Sequence, residues 1–242
     1  MNLDVIIFGA HPDDAELSMG GTVAKLTNTK YEVGIVDLTR GEMGTRGSAL
    51  IRKKEAEEAA KILNVKFREN LSIPDGNIEL RDENIKKVVK VIRKYKPAII
   101  FAPYLNDRHP DHIDASALIK RAMFTSGLIK YKTTDNKKIQ DAYRPSKLFF
   151  YMQTFTFEPT FIVDITDTFQ QKMKSIFAYS TQVHSPVKSK SNEPETFIST
   201  PEFIDYIEAR AKTYGFQIGK KYGEPFFSET QIEMNLDGLF GK

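Results

Sequence analysis

Two short runs hold most of the chain's capacity for chemistry. The first, Gly9-Ala10-His11-Pro12-Asp13-Asp14-Ala15-Glu16, packs one imidazole and three carboxylates between His11 and Glu16. The second, Arg108-His109-Pro110-Asp111-His112, adds two imidazoles and another carboxylate. Each follows an apolar run, Val5 to Phe8 in one case and Ala98 to Ala102 in the other. His11 and Asp14 are three residues apart, as are His109 and His112, so one helical turn would put each pair on one side. In both runs Pro follows His and suits the first position of a helix, where its missing N–H costs nothing. The aspartates that follow suit the positive end of the helix dipole. Two well-made helix starts would explain Pro and Asp, but not three of the chain's four histidines at two strand ends.

A shared metal ion explains them. Two imidazoles and a carboxylate, with one position left open, form a catalytic zinc arrangement, and His11, Asp14 and His112 are the leading set for one Zn²⁺ per chain. Such a metal lowers the pKa of a bound water to about 7 and polarises a carbonyl. Asp13 points away from its neighbour Asp14 and is expected to act as general base. His109 is expected as an imidazolium facing the developing oxyanion, with Asp111 holding its orientation and charge. Glu16 is read either as a partner of a ligating histidine or as a first-turn acid.

The elements needed to position these residues are legible around them. Strand patterns at 3–10, 31–39, 65–73 and 97–104 alternate with helical patterns at 15–28, 48–63, 82–95 and 110–127. Pro74-Asp75-Gly76 closes the third strand as a turn. Four alternations predict an α/β fold: a Rossmann-like, doubly wound, mainly parallel sheet with helices on both faces. Strand order 3-2-1-4-5 makes strands 1 and 4 neighbours, and ligands sit beyond their carboxyl ends, where the connection reverses. After about residue 130 the pattern gives a polar loop at 130–144, strands at 147–153 and 160–165, and helices at 167–179 and 202–214. We read one domain over 1–242, with a core at 1–128 and a C-terminal α/β extension at 129–242. The polar segment 182–195, with His184, is either plain surface or a lid.

Composition narrows the function classes. A net charge of +3 from 35 basic and 32 acidic residues gives no nucleic-acid footprint. Without cysteine, disulfides, thiolate metal sites and cysteine nucleophiles are excluded, so a metal must use His, Asp or Glu. Neither a secretory leader nor a membrane span is visible, and a cytoplasmic protein is expected. A nucleotide-binding Rossmann protein would need GxGxxG where this chain has carboxylates. A two-metal phosphoesterase would find enough ligands here, and a non-catalytic sugar-binding module is a third reading.

A strand-terminal AHPDD with Glu two residues on, followed by HPDH after the fourth strand, resembles the PIG-L-like (LmbE-like) zinc-dependent N-deacetylases. DLTRGEMGTRG at 37–47, IRKKEA at 51–56, FAPYLNDRHPDH at 101–112, AYSTQ at 178–182 and YGEPF at 222–226 resemble its bacillithiol-biosynthesis branch, which deacetylates N-acetylglucosaminyl-L-malate. The resemblance implies a Rossmann-like fold, zinc on His11, Asp14 and His112, Asp13 as base, His109 as transition-state stabiliser, and a homo-oligomer, a hexamer in that family. The implied substrate is a small sugar conjugate carrying carboxylates. Bidentate arginines suit carboxylates, and Arg46, Arg52 and Arg108 are the candidates. Another N-acetylglucosamine derivative, or a thiol conjugate cleaved as an amide, is the near alternative.

Overall fold

The computed structural model describes residues 2–184 and 193–233. In chain order the core elements are β1 (Val5–Gly9), α1 (Asp14–Thr27), β2 (Val33–Asp37), α2 (Ala49–Ile62), β3 (Phe67–Asn70), α3 (Asp82–Tyr95), β4 (Ile99–Pro103) and α4 (Pro110–Ser126). A small hairpin, β5 (Thr134–Asp135) and β6 (Lys138–Ile139), interrupts the expected polar loop. Then come β7 (Lys147–Tyr151), β8 (Phe161–Asp164), α5 (Phe169–Phe177), a 3₁₀ turn at Phe197–Ser199, α6 (Pro201–Gln217) and β9 (Gly223–Phe227).

The main sheet runs β3-β2-β1-β4-β7-β9-β8. Its first five strands are parallel, in the expected order, and β9 pairs antiparallel with both β7 and β8. Alternate strand residues serve opposite faces, as the two-residue repeat requires. Ile6, Phe8, Val36 and Ile100 pack with Val88, Val89 and Ile92 of α3 and Leu118 and Ile119 of α4. Val5, Ile7, Ile35 and Phe101 pack with Ala15, Met19 and Val23 of α1. Both faces are therefore covered, and β1 at the centre is buried throughout. β9 carries no usual strand signal because Pro225 stands inside it. Pro225 pairs with Ile162 on the β8 side, while pairing to β7 is confined to Phe226 and Phe227, so the missing N–H breaks no ladder.

α1 bends at Met19, where φ is −135°. The N–H groups of Gly21 and Thr22 that open its second half are taken by Glu224 of β9, at 3.0 and 2.6 Å. Lys172 of α5 neutralises that carboxylate at 2.6 Å, and both charged groups are buried. The extension thereby holds the helix whose first turn carries Asp14. Glu224→Ala leaves a buried ammonium and two buried N–H groups without their partner. Denaturant unfolding should show a loss of about 3–5 kcal/mol; a loss below about 1 kcal/mol would show that this contact does not hold α1.

Candidate active site

The expected convergence occurs: His11 and Asp14 leave β1, and His109 and His112 leave β4. α4 starts as its sequence suggests, with His109 as N-cap and Pro110 in the first turn. The first run does not. His11, Pro12 and Asp13 form a turn, α1 begins only at Asp14, and its N-cap Asp13 has a φ of 121°. Pro12 is thus not a first helical residue, and His11 and Asp14 meet across a turn rather than along a helix. An aspartate held in that region stores strain of about 1–3 kcal/mol.

His11, Asp14 and His112 are all buried, and each can offer one donor atom within 4.8 Å of the others. The remaining ring nitrogens show how each histidine is oriented. Nδ1 of His112 lies 2.8 Å from Asp107, leaving Nε2 at 3.3 Å from Asp14 Oδ1. Nε2 of His11 lies 2.9 Å from Asp75 and 3.2 Å from Asp111, leaving Nδ1 at 3.9 Å from Asp14 Oδ2. A carboxylate behind each imidazole fixes its rotation and raises its basicity as a ligand. Asp14 is steadied by the His11 N–H at 2.9 Å and by Gln153 Nε2 at 2.9 Å. The donor set fits one divalent ion.

Electrostatics agree. Burial opposes charge on His11, but hydrogen bonds to Asp111 and Asp75 outweigh it and lift its pKa to about 10. His112, likewise opposed by burial, is lifted to about 9 by the Asp14 charge and the Asp107 bond. Against burial, His112 and then His11 hold Asp14 well below the usual carboxylate range. Asp13 moves the other way: burial pushes it up, Arg52 partly offsets this, Asp14 adds to it, and it reaches about 7. Without a metal, two imidazolium protons supply the positive charge that the carboxylates require.

His109 differs from its expected state. Burial first, then the charges on His11 and His112, push its pKa down. Its Nδ1 accepts the backbone N–H of Asp111 at 3.2 Å, which places the proton of the neutral ring on Nε2. The expected imidazolium is corrected to a neutral N–H donor, because a protonated Nδ1 would face that N–H and the positive end of α4. Asp111 serves His109 through its backbone N–H and through its charge, which raises the His109 pKa, rather than through a carboxylate hydrogen bond. The Asp111 carboxylate accepts from Gly76 N at 2.8 Å and faces His11, so it supports a different histidine. Glu16 contacts neither ligating histidine; it is fully buried on Arg68 at 2.5 Å and Tyr179 at 3.2 Å. Arg68 also grips Asp37 through two bonds of 2.9 Å.

A cavity of about 390 Å³ opens over these residues, lined by Asp13, His109, Arg52 and Arg108 among others. Arg52 is buried there and donates to Gln182. Gly41, at φ +65°, packs directly on its guanidinium, where a side chain would collide. Arg46 is not among the lining residues; its Nε lies 3.6 Å from Glu193, and Gln182 binds its carbonyl at 2.8 Å. Its neighbours Gly44 and Thr45 do line the cavity. His184 is not in the lining either, and 185–192 of the expected lid lie outside the described residues. Sequence reasoning missed Asp75, Asp107 and Gln153 as partners of the ligand set. All three follow carboxyl ends of parallel strands, β3, β4 and β7, and that position was the available signal.

Comparison with known proteins follows the same outline. Residues 6–123 match the family model described as PIG-L, GlcNAc-PI de-N-acetylase. The diacetylchitobiose deacetylase of Thermococcus kodakarensis is 30% identical over 230 residues, covering 91% of this chain and 80% of the relative. A probable N-acetyl-alpha-D-glucosaminyl L-malate deacetylase 2 of Bacillus cereus is 24% identical over 226 residues, covering 85% and 99%. Among solved structures, a conserved protein of Thermus thermophilus superposes with a TM-score of 0.85 at 34% identity, covering 97% of this chain and 98% of that one.

Because His11 and His112 carry protons that a ligated ion must displace, metal binding near neutral pH should release about two protons. Calorimetry in buffers of different ionisation enthalpy reads that number, and affinity should fall as pH falls. Release of no protons would contradict the assigned ligands. Asp107→Asn should weaken the ion roughly 10- to 100-fold in a chelator competition; an unchanged affinity would contradict its role.

Proposed function

The chain belongs to the PIG-L family of de-N-acetylases, hydrolases acting on amide bonds, and we propose that it removes the N-acetyl group from an N-acetylglucosaminyl conjugate, using one zinc ion. The carrying observation is the division of labour within His11 to Asp14. Two residues face His112 as a ligand set, while Asp13, turned by its strained φ, lines the cavity outside that set. Two imidazoles and one carboxylate with a position left open form a recognised catalytic zinc set.

His11, Asp14 and His112 would hold a divalent ion, which would supply Lewis acidity toward the acetyl carbonyl and the attacking water. Asp13 takes the proton of the attacking water, a task suited to a carboxylate whose burial lifts it toward neutrality. The Nε2–H of His109 donates to the carbonyl oxygen as that oxygen gains negative charge. Its neutral form suits this role, because a donor held by a backbone N–H needs no proton from solvent. Asp13 then delivers its proton to the departing amine, and acetate and the free amino sugar result.

Two aglycones have support among relatives. L-malate, the bacillithiol-type conjugate, is favoured by the Bacillus cereus relative and by Arg52 and Arg108 in the cavity. A second sugar ring is favoured by the Thermococcus relative and by the arginines being engaged: Arg52 on Gln182, Arg108 over Phe197. The second reading uses the side chains as they stand.

Asp13→Asn should retain its metal and lose most turnover, measured as acetate release; near-normal kcat would exclude Asp13 as base. In the wild type, kcat/KM should fall as acid protonates Asp13. A cation beside it lowers its pKa, so the acid limb should lie between its ordinary 3.8 and about 7. A pH-independent kcat/KM across that range would contradict the assignment. His109→Ala should cost on the order of 10²–10³ in kcat with metal content unchanged.

A further inference from the structure

The glycine-rich loop after β2 faces the Pro74-Asp75-Gly76 turn after β3, and a reciprocal pair of hydrogen bonds joins them. Glu42 Oε1 accepts the backbone N–H of Asp75 at 3.2 Å, and Asp75 Oδ2 accepts the backbone N–H of Met43 at 2.8 Å. The other oxygen of Asp75, Oδ1, lies 2.9 Å from His11 Nε2. We propose that Glu42 is a positioning residue: it holds Asp75 against His11 and so couples the cavity wall at 43–45 to the metal site. This role rests on His11 being a metal ligand and not on which amide is hydrolysed.

The loop is shaped for this clasp. Gly44 N donates to Gly41 O at 3.1 Å, closing a four-residue turn with Glu42 and Met43 at its two central positions. Arg52 packs under both Gly41 and Gly44, so the turn is seated on a buried side chain. A second bond fixes Glu42 itself, whose Oε2 accepts the backbone N–H of Arg40 at 3.1 Å. Both oxygens of Glu42 are thus held by backbone donors, and such charge-assisted bonds are stronger than neutral ones. The Arg40 guanidinium, 3.7 Å from Glu42 and 57% exposed, contributes little by comparison.

Asp75 needs such a hold. β3 ends at Asn70, so the sheet ladder does not fix the turn that carries Asp75. Glu42 ties that turn down on one side, and Asp111 does so on the other by accepting the Gly76 N–H at 2.8 Å. Asp111 also reaches His11, at 3.2 Å. The His11 ring is therefore set by two carboxylates, one anchored on α4 and the other on the loop through Glu42. Met43, Gly44 and Thr45 line the cavity on one side of the clasp, and Asp75 and Gly76 on the other. A shift of the loop moves Asp75, and with it the ring whose Nδ1 must face Asp14. By linkage, an ion that fixes the ring steadies the clasp by the same factor that the clasp adds to the ion's affinity.

Zinc affinity of the full chain is measured by chelator competition, and residue-resolved amide exchange with and without zinc. Glu42→Ala should weaken zinc roughly 3- to 10-fold, below the roughly 10- to 100-fold of a residue bonded directly to a ligand. In an Asp75→Ala background the same substitution should change affinity less than about twofold, because its route to His11 is gone. Glu42→Gln, which keeps an acceptor for the Asp75 N–H, should restore most of the affinity. In the wild type, zinc should slow exchange at Met43 and Asp75 by the same roughly 3- to 10-fold, relative to the β5–β6 hairpin. The role is overturned if Glu42→Ala leaves zinc affinity unchanged, or if it weakens zinc equally in the Asp75→Ala background. It is equally overturned if Glu42→Gln does no better than Glu42→Ala, or if zinc leaves the two amides unaffected. His11→Ala is the separate control. Full zinc affinity in His11→Ala would overturn the ligand assignment itself, whereas loss of zinc there with none in Glu42→Ala would strike the clasp alone.

Discussion

The structure depends on compensating buried negative charge at the carboxyl ends of β1 and β4. Asp13, Asp14, Asp107 and Asp111 are each at most 5% exposed, and Asp75 joins them from the turn after β3. An uncompensated carboxylate costs several kcal/mol in such surroundings. Asp14 is the centre of the arrangement: one oxygen faces His112, and the other accepts the His11 N–H beside the His11 ring. Asp75, Asp111 and Asp107 stand behind the two imidazoles. Protons on His11 and His112 supply two positive charges among these carboxylates, and a divalent ion provides the same charge without a proton on either ring.

The fold supplies the convergence and absorbs its cost. Parallel pairing of β1 with β4 puts the two runs side by side at the place where the chain's winding reverses. Beneath the ligand turn, Arg68 binds Glu16 and Asp37 together, so two further carboxylates next to the site share one buried cation. Glu224 and Lys172 fix the bend in α1 from the far side. With the first turn and the bend of α1 both held by long-range polar contacts, the left-handed turn at Asp13 can persist despite its strain.

Much of this was legible in the sequence, and what was not has physical reasons. The parallel core could be read because buried strands and amphipathic helices alternate with unmistakable periods. The ligand set followed from residue type and from the switch-point rule. β9 was hidden by Pro225, whose position is harmless only because pairing on one side stops short of it. Asp75, Asp107 and Gln153 were hidden because a lone polar residue in a turn looks the same whether it caps, solvates or supports a ligand. The state of His109 could not be read either, since it depends on one backbone N–H reaching Nδ1. Arg46, in the glycine-rich loop, lies 3.6 Å from Glu193 and outside the cavity lining, a placement its residue type does not reveal.

A second potential donor group, His11 with His109 and Asp111, shares His11 with the first. The central claim is that one ion, centred on Asp14, satisfies the site. Metal content per folded chain, measured by elemental analysis on purified protein and on Asp14→Ala, tests it most directly. One divalent ion per wild-type chain and essentially none in Asp14→Ala are the expected results. Two tightly held ions per chain, or full retention in Asp14→Ala, would contradict the claim.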